Sequence, residues 1–257
     1  MALVVMALTL ALASCATLPN GKPDPRDRFE RFNRSVYKFN TVLDHAILRP
    51  VARTYVRVTP QTVRTGVSNF IGNLAYPVTL VNNFLQGKLH DGMTDAARLL
   101  VNSTIGIGGL FDPASGMGLE RHQEDFGQTM GWYGVHSGPY LMLPFLGPST
   151  MRDSVGLVPD YLLLHEIVSV KLFDNNQYVE WSLFAIDAVD RRTQLLAQDP
   201  ILERTYDPYA FLRNAYLQRR DYLIHDGVSS PADDFPDADL TGTEPPAAPA
   251  PAVPSPK

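Results

Sequence analysis

Cysteine occurs once in the 257 residues, as Cys15. A single thiol can neither close an intrachain disulfide nor furnish a multi-cysteine metal site. Histidine is sparse too: His45, His90, His122, His136, His165 and His225 include no i, i+4 pair and no H-E-x-x-H, so no metal motif is present. No G-x-S-x-G elbow, P-loop or G-x-G-x-x-G occurs. His122, Glu124, Asp125 and Ser137 come nearest to a hydrolase constellation, but triad members meet through the fold, and closeness in sequence is weak warrant for one. Basic charge is also lacking. The formal net charge is -5, and most of it lies in the last 30 residues, which leaves the rest nearly neutral and gives nothing to attract nucleic acid. The expectation is a protein without a chemical step, cofactor or metal.

No apolar run is long enough for a permanent membrane span, since Leu3 to Ala13 falls well short of the ~20 residues required. That run ends in Leu12-Ala13-Ser14-Cys15, small residues leading directly into the only cysteine. The pattern is that of a lipoprotein signal peptide, residues 1–14, with Cys15 as the lipidated first residue of the mature chain. Several acyl chains on one residue anchor stably where a single chain does not. Residues 15–23 form a lipidated tether of at most roughly 35 Å, which holds the adjoining domain close to the membrane. At the other end, residues 227–257 hold eight of the 21 prolines and five acids against Lys257. This is the composition of a disordered acidic Pro/Ala-rich tail.

Between them, residues 24–226 read as one all-α domain. Asp24-Pro25 has the form of a helix start, and the stripe Phe29, Phe32, Val36, Phe39, Leu43 lies on one helical face, giving a first helix to about His45. Further starts are predicted at Pro50, Thr59-Pro60, Pro77, Asp199-Pro200 and Asp207-Pro208. They precede the stripes Val63, Val67, Phe70, Ile71, Leu74, then Trp181, Phe184, Ala185, Ala188, Val189, and Phe211 with Ala215. No period-two alternation is evident. The middle departs from this pattern: eleven of the 18 glycines fall between Thr104 and Gly156, where long regular helices are disfavoured. Apolar, irregular chain that cannot span suggests either partial insertion into a membrane or a buried connection in a soluble core.

Asp24-Pro25, Phe32-Asn33-Arg34, Phe39-Asn40, Asn69-Phe70, Asn73-Leu74, Leu85-Gln86-Gly87, Arg98 with Asn102, Gly106-Ile107-Gly108-Gly109, Glu124-Asp125-Phe126-Gly127-Gln128-Thr129, Gly138-Pro139-Tyr140, Leu143-Pro144, Gly147-Pro148 and Arg152-Asp153 succeed one another in order. Together they resemble the VacJ/MlaA family of lipoproteins, from the lipidated cysteine to about Tyr216. The resemblance implies an irregular ring-like helical domain embedded in one leaflet of the cell outer membrane, on its periplasmic face. It further implies an amphipathic channel that removes phospholipid misplaced in the outer leaflet. Implied partners are a trimeric outer-membrane porin and a periplasmic MlaC-like lipid carrier feeding an inner-membrane ABC transporter. The competing classes are a porin-associated structural adaptor and a phospholipid hydrolase.

Asn33 with Asn40, and Asn69 with Asn73, share helical faces. Asparagine is a poor helix former, so these are candidates for lining a lipid path, or else for a buried amide network that fixes packing. Asn82, Asn83 and Asn102 could cap helices or turns. Arg98, Arg121 and Arg152 suit a lipid phosphate, unless they pair with Glu124, Asp125 or Asp153. Gly131, Gly134, Gly138, Pro139, Pro144 and Gly147 mark either a flexible segment beside the path or a rigid corner.

Overall fold

The structure is a computed structural model that describes residues 24–172 and 176–227. Residues 1–23 and 228–257, which hold the expected signal peptide, Cys15, the expected tether and all but the first residue of the expected acidic tail, lie outside the described residues. Helix dominates. Helix α1 (Glu30–Leu43) runs through a π-helical stretch, Asp44–Leu48, directly into α2 (Arg49–Val58). Next come the long α3 (Gln61–Leu85), α4 (Leu89–Thr104), the short α5 (Pro113–Gly116) and α6 (Phe126–Trp132). Two strands come after them, β1 (Tyr140–Leu143) and β2 (Gly147–Thr150). Helix α7 (Met151–Leu164) continues as a second π-helical stretch, His165–Leu172. The chain closes with α8 (Gln177–Leu195), a 3-10 turn at Leu196–Gln198, α9 (Asp199–Arg204) and α10 (Pro208–Ile224). Among the described residues no helix is long and apolar enough to cross a membrane.

Four expectations need correction. Asp24 does not cap a helix. Its carboxylate accepts the Arg26 N–H at 2.9 Å and its carbonyl the Asp27 N–H at 3.0 Å, closing a turn, and α1 begins only at Glu30. Pro50 does not follow a corner but sits in the first turn of α2, directly after the π-helical stretch. The wider π turn keeps the chain helical where a prolyl ring would otherwise press on the preceding turn. Pro77 lies inside α3, so the Asn73 carbonyl lacks its usual donor. Finally, Tyr140 to Thr150 is an antiparallel hairpin, with Tyr140 opposite Thr150 and Leu143 opposite Gly147. The four residues of β1 are all apolar and therefore show no alternation in sequence; in the fold Tyr140 and Met142 are buried and their neighbours only half so. Thr59-Pro60 does precede α3, Asp199-Pro200 forms the first two residues of α9, and Pro208 opens α10 directly after Asp207. Asp207 accepts the Ala210 N–H at 3.2 Å at the head of α10.

Burial runs opposite to the usual pattern. Among the described residues only Val36, Ala52, Tyr76, Ala114, Tyr140, Met142 and Tyr209 form the buried apolar set, whereas 19 polar or charged side chains are buried and 38 large apolar ones are exposed. In soluble cores it is buried polar groups and large exposed apolar patches that are unusual and informative. The apolar stripes are helical, as the spacing predicts, but in α1, α8 and α10 their aromatic side chains face outward, with Phe32, Phe39, Trp181, Phe184 and Phe211 all exposed, while Val63 is exposed and the rest of the α3 stripe half-buried. Helix α1 buries Glu30, Asn33 and Val36 instead. The small apolar centre joins α1, β1 and α10, where Tyr209 meets the rings of Tyr37 and Tyr140 edge-on at 5.8 and 6.2 Å.

Candidate functional site

Asn33 and Asn40 bind α1 to the hairpin. The Asn33 amide donates to the Tyr140 carbonyl at 3.0 Å and to Asp27 at 2.8 Å, and its oxygen accepts the Met142 N–H at 2.8 Å. One helical repeat later, Asn40 donates to the Leu143 carbonyl and accepts the Phe145 N–H, both at 2.9 Å. An amide carries a donor and an acceptor side by side, so each asparagine serves the hairpin backbone as a neighbouring strand would. Asn33 is fully buried, and both its N–H groups are taken.

Asn69 and Asn73 are placed differently. Both are half-buried on α3 and loosely engaged: Asn69 donates to the Leu110 carbonyl at 3.4 Å, Asn73 to the Ser103 hydroxyl at 3.0 Å. The Gly-rich segment 105–111 closes over them. Gly109, at φ +93°, lies so near Asn73 that a Cβ would come within 2.4 Å of the Asn73 Cβ, so only glycine fits there. The side chains of this segment turn outward, with Ile105, Ile107, Leu110 and Phe111 exposed.

Of the three candidate arginines, two are committed. Arg98 is buried and pairs through Nη2 with both oxygens of Asp112 at 3.0 Å, while Arg152 pairs with Asp153 at 2.9 Å. Asp112 was not among the anticipated partners. Burial raises its carboxyl, but bonds from Ser115 and Asn102 and the charge of Arg98 outweigh that and hold it at about 2. Arg121 is exposed, and its guanidinium lies against Gly72 of α3.

Sequence reasoning missed the charges that organise the interior. On α10 the spacing Tyr209, Arg213, Tyr216, Arg220 places two Tyr-x-x-x-Arg units seven residues apart, a legible signal that one face carries rings and guanidinium groups. Arg213 reaches Asp24 and Asp27, and Tyr209 donates to Asp27 at 2.5 Å. Arg220 joins Asp125, at the head of α6, to Asp153 of α7. Fully buried Asp95 of α4 accepts from Tyr76 and Asn83 of α3, each at 2.6 Å, and faces His122 Nδ1 at 3.1 Å. Asn82 bridges Asp160 and Thr129, while Asn102 spans Asp112 and the Ala114 N–H.

The Gly/Pro segment divides into fitted and open positions. A Cβ at Gly131 would lie 2.8 Å from Arg152 Nη1, and one at Gly138 3.0 Å from the Met151 Cβ. Gly134 and Gly147 have positive φ and open space around them. Pro139 accepts the Met151 N–H at 3.0 Å, and Pro144 opens the hairpin loop, whose Phe145 is exposed at φ +66°. No described hydrogen bond joins His122 to Ser137, whose hydroxyl points at the Gly138 carbonyl. No cluster of three or more metal-ligating side chains occurs among the described residues.

Residues 25–223 match the family model described as MlaA lipoprotein. The chain is 39% identical over 233 residues to the intermembrane phospholipid transport system lipoprotein MlaA of Shigella flexneri, and 38% identical to that of Escherichia coli K12; each alignment covers 87% of both proteins. An uncharacterized protein of Rickettsia prowazekii is 37% identical over 80% of each chain. A solved chain, from work on the structural basis for maintenance of bacterial outer membrane lipid asymmetry, superposes with a TM-score of 0.67 at 38% identity. That superposition covers 77% of this chain and 98% of the other.

Proposed function

The chain belongs to the MlaA lipoprotein family, and on that premise we propose that it serves intermembrane phospholipid transport, withdrawing phospholipid from the outer leaflet of the outer membrane. The observation that carries the reading is the inverted polarity. Helices that turn Phe, Trp and Leu outward while burying Asn, Asp and Arg suit a body seated in lipid, where outward apolar groups are solvated by acyl chains and inward polar groups meet one another or a wet path. Helix α7 is the clearest case, with Met151, Val155, Leu157, Val158, Tyr161 and Leu162 all exposed. That no described helix is both long and apolar enough to span fits insertion into one leaflet, with acylated Cys15 as the anchor.

The polar inner faces border the lipid path, and no bond of the phospholipid is broken. His122 is turned to Asp95, a structural partner for an imidazole. Lipid leaves the path for a periplasmic carrier, and a trimeric porin holds the protein in place. The test is deletion of the gene in its own host: phospholipid in the outer leaflet, measured by labelling amine headgroups from outside the cell, should rise and return to normal with the intact chain. Unchanged outer-leaflet phospholipid would remove the transport role.

A further inference from the structure

Arg98 and Arg152 are occupied by Asp112 and Asp153, which leaves Arg121 as the candidate arginine without a described partner. Its side chain is not simply extended into solvent. The guanidinium lies on α3 at Gly72, where a Cβ would stand 3.0 Å from Nη2, so the absence of a side chain at that position makes the seat. Asn69 and Asn73 flank Gly72 on the same stretch of helix and are weakly engaged, Asn69 through one 3.4 Å bond and Asn73 through one N–H to Ser103. The apolar segment 105–111 folds onto the same stretch. The Leu110 carbonyl would lie 3.5 Å from a Cβ at Gly66, Gly109 presses on Asn73, and Ile107 and Leu110 remain exposed beside them. About two turns of α3 thus gather a cation, two amides with donors to spare and a rim of aliphatic side chains.

We propose that Arg121, with Asn69 and Asn73, holds the phosphate of a glycerophospholipid whose acyl chains run against Ile107 and Leu110. A guanidinium offers paired donors to phosphate oxygens, and two amides beside it can donate to the remaining ones. The aliphatic rim explains why the ligand is a lipid rather than the free anion. This assignment rests on the transport reading and adds to it the place where the headgroup is gripped.

The test is equilibrium binding of dioleoylphosphatidylglycerol to the full chain in detergent, compared with dioleoylglycerol and inorganic phosphate. R121Q should bind the phospholipid at least about tenfold more weakly with dioleoylglycerol unchanged, because charge-assisted hydrogen bonds are lost. R121K should fall between, and R219Q, which removes an exposed arginine of α10, should match the native chain. R121Q equal to the native chain, or equal loss of both lipids, overturns the assignment and leaves the transport reading standing. Inorganic phosphate binding as tightly as the lipid overturns it in favour of a free-anion site. A native chain that binds no phosphatidylglycerol sinks the transport reading and this assignment together. Should R121Q fail to fold, R121K decides: it keeps the charge and loses the paired guanidinium donors, so weaker phospholipid binding with dioleoylglycerol unchanged supports the site and binding equal to the native chain overturns it.

Discussion

Asn33, Asn40 and Asn73 are the same residue in three environments, and their substitutions should separate accordingly. Asn33→Leu strands a buried carbonyl, a buried N–H and Asp27, and should cost about 3 kcal/mol; Asn40→Leu, whose partners border the exposed hairpin loop, should cost about 1 kcal/mol. Asn73→Leu releases one surface hydroxyl and should leave thermal unfolding almost unchanged while lowering lipid transport. Thermal melts paired with outer-leaflet phospholipid content check all three. Parallel loss of stability and transport in the Asn73 variant would return that residue to packing.

Pairs of elements are held by two devices, close glycine contact and buried charge. At the crossing of α6 and α7 a Cβ on Gly156 would lie 2.6 Å from the Gly127 nitrogen, a backbone atom with little freedom to give way. Gly156→Ala should therefore destabilise by about 1–3 kcal/mol, whereas Gly116→Ala in α5, where nothing lies within 4 Å, should be neutral or slightly stabilising by denaturant titration. Arg220 joins α10 to α6 and α7. Burial alone would raise Asp125 and Asp153, but it is outweighed at Asp125 by the bonds and charge of Arg220 and at Asp153 by the charges of Arg220 and Arg152 with bonds from Tyr216 and Arg152, which leaves both below their ordinary value. Their stabilisation is complete above the unfolded value of 3.8 and is lost as pH falls through the lower folded values, as it is for Asp112 at about 2. Glu124 and Asp160 act in the opposite sense: burial raises them, so protonation favours the folded state as pH falls through their raised values. The unfolding free energy should hold or rise slightly from neutrality to about pH 5, then fall steadily below about pH 4. A monotonic loss beginning at neutrality would contradict this balance.

For the molecule as a whole, the outward apolar surface sets its behaviour toward a membrane. The chain has two tryptophans, Trp132 and Trp181. With both replaced by Phe, Val158→Trp puts a single reporter on the exposed face of α7. Its emission should be blue-shifted in vesicles and quenched by acyl-brominated phospholipid. Quenching by aqueous iodide instead would place α7 in water and undo the one-leaflet reading. Cys15→Ala should abolish palmitate labelling and release the protein from the membrane fraction, since the remaining surface attachment lacks its acyl anchor. An unlabelled native chain would remove the lipoprotein anchor.

Several features were determined by sequence alone. The proline-marked starts at Pro60, Pro200 and Pro208 depend on neighbours in the chain, as do the helical spacing of the apolar stripes and the glycine-rich middle, so all were legible. The ordered motifs carried the family. Direction was not legible. A stripe such as Phe32, Val36, Phe39 states that a face exists but not whether water, lipid or protein lies against it, because that is settled by what the other helices bury. The hairpin was equally hidden: β1 owes its pairing partly to Asn33 and Asn40, more than a hundred residues away in sequence. Tertiary structure alone also decided which arginines found carboxylates, since Arg98 of α4 met Asp112 at the head of α5 and Arg220 of α10 met Asp125, 95 residues away in sequence. Pairing of buried charge is a property of the assembled interior, where an unpaired ion is costly, and local sequence carries no record of which partner arrives.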